Sequence, residues 1–393
     1  MSNFDPFRSP AFDATAVTAT IQRALASAGL DTTAGPMRRV TRTIEDALAA
    51  AGLMPRGSGQ AEPGITIEST AREVEDEDAP DRKRLDGPRP SKRPATTETP
   101  PPPPGEFLAR SFVAASGARA YKVYVPAGYA AGATDVPMVV MLHGCTQSPD
   151  DFAAGTRMNA LADEHGFIVV YPAQSAAANA QKCWNWFRTE DQVRESGEPA
   201  VIAGITREVA AAYRIDRRRI FVAGLSAGAA MAVILATTHP DLYAAVGAHS
   251  GLAYRAASDM PSAFRAMHGG SVLVTSPAGT ALPVPVIVFH GDSDRTVHAA
   301  NATAIVRQAV GAHAGASKPH EASSGTGARG RRFSRKVYVA ANGGVVAEHW
   351  VVHGAGHAWS GGSTAGSFAD EAGPDASREM IRFFLSLPRA GTA

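Results

Sequence analysis

Ser226 lies at the centre of the most constraining segment of this chain, Gly224-Leu225-Ser226-Ala227-Gly228, which has the pattern G-x-S-x-G. The apolar run 219–223 leads into this pentapeptide, and an Ala-rich stretch of helical character, Ala227–Thr238, follows it. A bare G-x-S-x-G also occurs in flexible loops. A strand before it and a helix after it are typical of a tight turn that raises a serine hydroxyl above a sheet. The glycines permit the turn because they lack a side chain. The segment therefore predicts a nucleophilic serine.

A serine hydroxyl is a poor nucleophile without a base, so its partners must be sought downstream. In folds with this kind of turn the chain order is serine, then acid, then histidine. The apolar run 284–289 is followed by Asp292 and Asp294, and either carboxylate would lie at the same sheet edge as the serine. The later run 348–352 is followed by His357, which lies in a Gly-containing loop and is the predicted base. Lesser candidates for the base are His349 and His353.

Acyl transfer at a serine also needs backbone N–H donors for the negatively charged oxygen of the intermediate, the oxyanion. One donor is predicted to be Ala227, the residue after the nucleophile. The other is expected from the loop after the apolar run 138–142, where Cys145 or its neighbour Thr146 would supply it. Because the donor is a backbone group, the Cys145 thiol needs no chemical role.

Four segments carry a recognisable set of motifs. They are Leu142-His143-Gly144-Cys145-Thr146-Gln147, Cys183-Trp184-Asn185-Trp186-Phe187, Gly224-Leu225-Ser226-Ala227-Gly228-Ala229-Ala230-Met231 and Gly356-His357-Ala358-Trp359-Ser360-Gly361-Gly362. Together they resemble the poly(3-hydroxybutyrate) depolymerase family of esterases, and most strongly the type 1 catalytic domain of short-chain polyhydroxyalkanoate depolymerases. That family is related to feruloyl and acetylxylan esterases. The resemblance implies an α/β-hydrolase fold, in which a mostly parallel central sheet carries helices on both faces.

Motif by motif, the resemblance makes Ser226 the nucleophile, Asp294 the acid and His357 the base. It prefers Asp294 over Asp292 because the family pattern reads H-G-x-x-D-x-x-V. The implied reaction is ester hydrolysis through an acyl-enzyme, with poly(3-hydroxybutyrate) or its oligomers as substrate. One alternative is a feruloyl or acetylxylan-type carbohydrate esterase. The other is a non-catalytic granule-associated protein, against which the intact serine, aspartate and histidine argue.

The cysteines and tryptophans of these motifs permit two interpretations each. The resemblance implies a disulfide between Cys145 and Cys183 beside the site, whereas a reducing compartment favours two buried thiols. Trp184, Trp186 and Trp359 are candidate substrate-binding residues because an aromatic wall suits an uncharged polyester. Their alternative role is ordinary packing. Trp359 is the preferred candidate because it lies two residues past the predicted base.

Composition excludes several other classes of function. The formal net charge of +1, from 38 basic and 37 acidic residues, gives no field for a nucleic-acid partner. No apolar run reaches the roughly 18 residues of a spanning helix. We find no metal-ligand cluster, phosphate loop or dinucleotide motif in the sequence, so no metal or cofactor is expected. The N-terminus lacks the pattern of a secretion signal, and no C-terminal substrate-binding region is recognised. A cytoplasmic enzyme is therefore expected, with the surface of storage granules as a partner.

The N-terminal part of the chain contains a duplicated segment. Residues 17–30 recur as 40–53 with ten of fourteen aligned positions identical, and each copy has apolar residues at helical spacing. The sequence thus predicts two short amphipathic helices within 1–54. Residues 55–105 are polar and Pro-rich, which predicts a disordered linker. Short helices bury little surface alone, so the pair needs a partner such as each other, the catalytic domain or a polyester surface.

The remaining part, residues 106–388, is predicted to be the catalytic domain. A hairpin over 106–127 comes first, and apolar strands then alternate with helices. Continuous apolar strands between helices indicate a mostly parallel sheet that is buried on both faces. The stretch 311–330 is rich in Gly, Ala and Ser and is predicted to be a mobile insertion.

Overall fold

The computed structural model describes residues 105–114, 117–129, 134–269, 282–313, 316 and 318–388. The predicted segments 1–54 and 55–105 lie outside the described residues, except for Gly105. The strands are β1 Glu106–Ala114, β2 Gly117–Val125, β3 Val136–Leu142, β4 Ile168–Pro172, β5 Ile215–Leu225, β6 Ala245–His249, β7 Val286–Gly291, β8 Glu321–Thr326, β9 Arg332–Val339, β10 Val345–Val352, β11 Trp359–Ser360 and β12 Ala369–Asp370. The α-helices are α1 Pro149–Thr156, α2 Met158–His165, α3 Gly197–Ala212, α4 Ala227–Thr238, α5 Met260–Met267, α6 Ala300–Gly311 and α7 Ala376–Ser386.

Ten of these strands form one sheet in the order β1-β2-β4-β3-β5-β6-β7-β10-β9-β8. The six central strands, from β4 to β10, run parallel to one another. Antiparallel pairs flank them at both ends, with β1 and β2 on one side and β9 and β8 on the other. The prediction of a mostly parallel α/β sheet is therefore confirmed. Strands β11 and β12 pair separately.

Helices cover both faces of the sheet because the central strands are apolar on both sides. Successive strand residues point to opposite faces, so Ile220 and Val222 of β5 pack into the core beneath α3 and α4, whereas Phe221 packs into the core beneath α7. The Phe221 and Phe384 rings stack with centroids 4.7 Å apart. Almost every residue of α4 is buried, which explains why this helix is apolar all round. None of the helices within the described ranges is long and apolar enough to cross a membrane.

The prediction of a mobile insertion over 311–330 is wrong for its second half. Residues Glu321–Thr326 form β8, the edge strand of the sheet, and pair with β9 from Glu321 against Val337 to Thr326 against Arg332. The side chains of β8 are mostly exposed. An exposed edge strand is held by backbone hydrogen bonds rather than by burial, so it carries no apolar alternation that a sequence pattern would reveal.

Candidate functional site

Ser226 occupies the turn between β5 and α4 in a backbone conformation that few non-glycine residues adopt, with φ 57° and ψ −120°. The turn is tight. A Cβ atom at Gly228 would lie 2.1 Å from the carbonyl oxygen of Leu142, and one at Gly224 would lie 2.5 Å from the Gly228 carbonyl. Both positions therefore require glycine. The Ser226 N–H donates to the carbonyl oxygen of His249 at 2.9 Å, which fixes the turn against the end of β6.

Asp294 follows β7, and His357 follows β10, at the same sheet edge as the serine. The two side chains are in contact: His357 Nδ1 donates to Asp294 Oδ2 at 2.7 Å. The other oxygen, Asp294 Oδ1, accepts from the backbone N–H groups of Thr296 and Val297, each at 2.9 Å. A second imidazole, His290, places its Nε2 atom 3.4 Å from Asp294 Oδ2 and donates to the Val297 carbonyl at 2.7 Å. The carboxylate is thus held from several directions.

These contacts set the ionisation of Asp294. Burial alone would raise the pKa of this carboxyl group, because the charged form loses water. The interactions with the nearby His290 and His357 rings outweigh that effect and hold the Asp294 pKa well below its usual range. The side chain is therefore a carboxylate at any pH near neutrality. A carboxylate at Nδ1 leaves Nε2 of His357 as the unprotonated nitrogen of the neutral ring.

Asp292 and His353, the lesser candidates, form a separate hydrogen-bonded chain. His353 Nδ1 donates to Asp292 Oδ2 at 2.8 Å, and His353 Nε2 accepts from the hydroxyl of Ser334 on β9 at 2.7 Å. Ser334 lies within a regular strand and is paired on both sides, so it lacks the exposed turn and the free backbone donors of Ser226. His349 lies within β10 rather than in a loop. Within the described ranges, no group of His, Cys, Asp or Glu is arranged to hold a metal ion.

His249 is a buried residue of the site that sequence reasoning missed. Its Nε2 atom accepts from the Ser360 N–H at 2.9 Å, and its ring stacks on Trp359 with centroids 5.1 Å apart. Its backbone carbonyl accepts from Ser226, so one residue connects the serine turn with the loop that carries His357. Burial lowers the His249 pKa from 6.5 to about 3, and the neighbouring histidines act in the same direction. The only sequence signal for it is its place at the end of an apolar central strand.

The loop after β3 is fixed at several points. The Thr146 N–H already donates to the Gln181 carbonyl at 2.7 Å, which favours Cys145 among the two predicted oxyanion donors. A disulfide joins Cys145 to Cys183, the pair that the resemblance implied. On the other side of the loop, Gln147 Oε1 accepts from the Gly144 N–H at 2.9 Å. The backbone that would hold an oxyanion is therefore attached to the loop of Gln181 and Cys183 and is held by Gln147 within its own loop.

A buried polar network lies beneath this loop. His143 Nδ1 donates to the Gly144 carbonyl at 2.8 Å, and its Nε2 accepts from the Gln174 N–H at 3.1 Å. Burial lowers the His143 pKa from 6.5 to about 4, so the ring is neutral and can act as both donor and acceptor. The Glu198 carboxylate accepts from Gln174 Nε2 and from both the backbone and the side-chain amide of Asn185. This network joins the loop that carries Cys183 to the residues that follow β3 and β4.

All three candidate substrate-binding tryptophans are buried, with Trp184 0%, Trp359 1% and Trp186 6% exposed. Trp184 Nε1 donates to the His143 carbonyl at 3.1 Å, and Trp359 Nε1 donates to the Ser377 hydroxyl at 3.0 Å. Because all three side chains are buried, and the N–H groups of Trp184 and Trp359 are satisfied within the protein, the burial argues against the predicted substrate contact. The sequence does not distinguish the two roles, because an aromatic residue next to a catalytic motif can pack beneath the loop as readily as it can face solvent.

The known proteins to which this chain is similar include a polyester depolymerase and a feruloyl esterase. A model of the family described as Esterase PHB depolymerase matches residues 119–317. Poly(3-hydroxyalkanoate) depolymerase C of Paucimonas lemoignei is 37% identical over 244 residues, which cover 60% of this chain and 57% of that protein. Feruloyl esterase B of Neurospora crassa is 32% identical over 123 residues, 31% of this chain and 41% of that protein. The chain thus spans less than two thirds of either relative.

Among solved structures, the acetyl xylan esterase from Aspergillus awamori superposes with a TM-score of 0.53 at 19% identity, covering 64% of this chain and 94% of that one. This likeness supports the α/β-hydrolase fold. The match to the family model extends over half of the sequence and includes the turn at Ser226, both cysteines of the disulfide and Asp294. On these grounds the chain belongs to the Esterase PHB depolymerase family.

Proposed function

We propose that this protein is a serine esterase that hydrolyses the ester bonds of poly(3-hydroxybutyrate) or its oligomers. One observation carries the proposal. His357 contacts Asp294 at one edge of the sheet, and the strained turn holds Ser226 at the same edge. The 37% identity to a poly(3-hydroxyalkanoate) depolymerase supports the choice of substrate.

The proposed reaction begins with Ser226. As its Oγ attacks the ester carbonyl carbon, Nε2 of His357 takes the hydroxyl proton. The carbonyl π electrons move to oxygen, and the N–H groups of Ala227 and Cys145 hold the resulting oxyanion. The C–O bond to the alcohol then breaks, and the alcohol leaves with the proton from His357. Water, activated by the same imidazole, releases the hydroxy acid or shortened oligomer and restores the serine.

Asp294 has two roles in this scheme. Its hydrogen bond to Nδ1 of His357 selects the tautomer that can accept the serine proton, and its negative charge stabilises the imidazolium that forms. The extra donors from the turn at Thr296 and Val297 keep the carboxylate in place while the base gains and loses its proton. Asp294 thus keeps its negative charge throughout the reaction cycle.

Two other functions are the alternatives. The 32% identity to a feruloyl esterase favours a carbohydrate-ester esterase as the second candidate. A non-catalytic protein associated with storage granules is the third candidate. Separately, we propose that the depolymerase itself acts inside the cell, in association with storage granules. The duplicated segment over 17–30 and 40–53, with apolar residues at helical spacing, motivates the proposed granule association.

A panel of substrates separates the three functions. Amorphous poly(3-hydroxybutyrate), its soluble oligomers, a feruloyl ester and acetylated xylan would be offered to the full chain and to Ser226→Ala. We expect 3-hydroxybutyrate or its dimer as the principal product, and none from the variant. Preferential release of ferulate or acetate would favour the carbohydrate esterase. Failure to hydrolyse even p-nitrophenyl butyrate would favour the non-catalytic protein.

A further inference from the structure

Phe368 combines an exposed apolar side chain with a strained backbone conformation. Its side chain is 45% exposed, and its φ angle is +51°, in the left-handed region. A bulky residue in this region is an outlier, whereas glycine adopts it without strain. Among the described residues it is the one aromatic with a positive φ. Strain of this kind is stored most often at functional sites.

The backbone of Phe368 lies beside the loop that carries the base. Its carbonyl oxygen accepts from the Trp359 N–H at 2.6 Å, and the short parallel pairing of β11 with β12 continues from that point. Trp359 lies two residues past His357 in the chain. Phe368 is therefore held next to the segment that positions the imidazole.

The preceding residue, Ser367, attaches the same segment to the oxyanion loop. The Ser367 N–H and hydroxyl donate to the two carboxylate oxygens of Asp151 at 2.8 and 2.5 Å. The Ser367 carbonyl accepts from Gln147 Nε2 at 3.1 Å. Gln147 in turn holds the Gly144 N–H next to Cys145. The left-handed backbone of Phe368 is thus fixed between the loop of the base and the loop of the oxyanion donors.

We propose that Phe368 is a substrate-contacting residue whose ring forms an apolar platform for the chain of the ester substrate. The inference rests on the proposed esterase function and adds a specificity-determining residue to it. The three buried tryptophans do not offer such a surface, whereas the half-exposed Phe368, whose backbone is bonded to the loop that carries His357, does. An uncharged aliphatic chain would cover the exposed part of the ring and remove it from water.

Three substitutions separate the ring from the backbone. Phe368→Ala removes the ring but keeps a side chain in the strained conformation, Phe368→Gly removes both ring and strain, and Phe368→Leu keeps apolar bulk. Two series of esters would be measured. One lengthens the acyl group from acetate to octanoate as p-nitrophenyl esters, and the other lengthens the alcohol of a butyrate ester. Val113→Ala, at a 78% exposed apolar residue on edge strand β1, is the matched control.

For the longest ester of at least one series, we expect the Ala and Gly variants to lose about tenfold in kcat/KM, through a higher KM. For the acetate ester the loss should be at most about twofold. An apolar contact discriminates between substrates by such factors. Leu should restore part of the loss, and Val113→Ala should change nothing. The Gly variant should unfold at a temperature equal to or above that of the Ala variant.

Unchanged length dependence in both series would overturn the proposal. So would an equal loss for every ester, acetate included, because that pattern indicates displacement of His357 rather than a lost contact. Failure of the wild-type protein to cleave hydroxybutyrate oligomers would remove the proposed substrate. It would leave the length dependence with p-nitrophenyl esters as an independent test of Phe368.

Discussion

Two carboxylates two positions apart in this chain have different partners, and the difference decides their roles. Sequence spacing allowed either Asp292 or Asp294 to be the acid, because both follow the same strand. In the structure Asp294 contacts His357, whereas Asp292 contacts His353. The resemblance favoured Asp294, and the arrangement of the turn after β7 brings this carboxylate into contact with His357. Sequence periodicity does not report which groups a side chain contacts. It therefore gave no indication that His290 and His249, at the ends of β7 and β6, belong to the site.

The first prediction concerns these two aspartates. Asp294→Asn should lower kcat by about 10⁴, because an amide at this position allows the wrong tautomer of His357. Asp292→Asn is the matched control, since it makes the same chemical change two residues away. Rates for both would be measured with p-nitrophenyl butyrate at neutral pH. A greater loss in Asp292→Asn than in Asp294→Asn would reject Asp294 as the acid.

The second prediction concerns the neutral histidines. His249 has a folded pKa of about 3 and His143 one of about 4, both below the ordinary value of 6.5. The unfolded chain therefore binds protons first as the pH falls. The stability that these groups contribute is complete above pH 6.5 and is lost below it, by about 1.4 kcal/mol per pH unit for each group.

Urea unfolding at several pH values below 6.5 would measure this slope in the wild type and in His249→Gln. The glutamine does not titrate, and its amide oxygen can accept from the Ser360 N–H in place of Nε2. The variant should therefore lose stability less steeply on acidification. Identical slopes in the two proteins would mean that His249 does not contribute to the acid sensitivity.

At the level of elements, the central part of the sheet was predictable and its edge was not. The apolar strand β5 and the Ala-rich helix α4 were recognised because burial on all sides leaves a continuous apolar pattern. Strand β8 was missed because its side chains are mostly exposed, and β9 because most of its side chains are only half-buried. The hairpin is nevertheless attached to the core. Arg335 forms two hydrogen bonds with the buried Glu348 carboxylate, at 2.9 and 3.0 Å.

The third prediction concerns the loops joined by the disulfide. The bond between Cys145 and Cys183 closes a loop with a sequence separation of 38. Replacing both residues with alanine should lower the free energy of unfolding by roughly 4 kcal/mol, because the unfolded chain regains loop entropy. The backbone N–H of residue 145 is retained, so any fall in kcat would report looser positioning of the oxyanion donor.

Guanidinium unfolding of the oxidised wild type, the reduced wild type and the double alanine variant would measure the effect. The reduced protein should resemble the variant. Equal midpoints for all three would show that the disulfide does not stabilise the native fold.

At the level of the whole molecule, the catalytic domain and the N-terminal repeat pose separate questions. The fourth prediction is that residues 1–54 act as a surface anchor for a hydrophobic polyester. A tether raises the local concentration of cleavable chain without altering the site. Deletion of 1–54 should therefore leave hydrolysis of p-nitrophenyl butyrate unchanged and reduce co-sedimentation with amorphous polymer granules.

A matched variant would keep the length of the N-terminal part and replace Ile21, Leu25, Ile44 and Leu48 with serine. It should bind granules as weakly as the deletion does. Equal granule binding by the full-length protein and both variants would exclude the anchor. Loss of soluble-ester activity on deletion would show instead that the segment is needed by the catalytic domain.

The central claim is that Ser226 is the nucleophile of an acyl-transfer reaction, and covalent labelling tests it most directly. The full chain would be treated with a fluorophosphonate, which reacts with serines activated in this way, and the modified peptide would be identified by mass spectrometry. We predict a single adduct on Ser226, proportional to the loss of esterase activity and absent from Ser226→Ala. An adduct on Ser334, which has its own histidine and aspartate, or complete inhibition with Ser226 unmodified, would contradict the account.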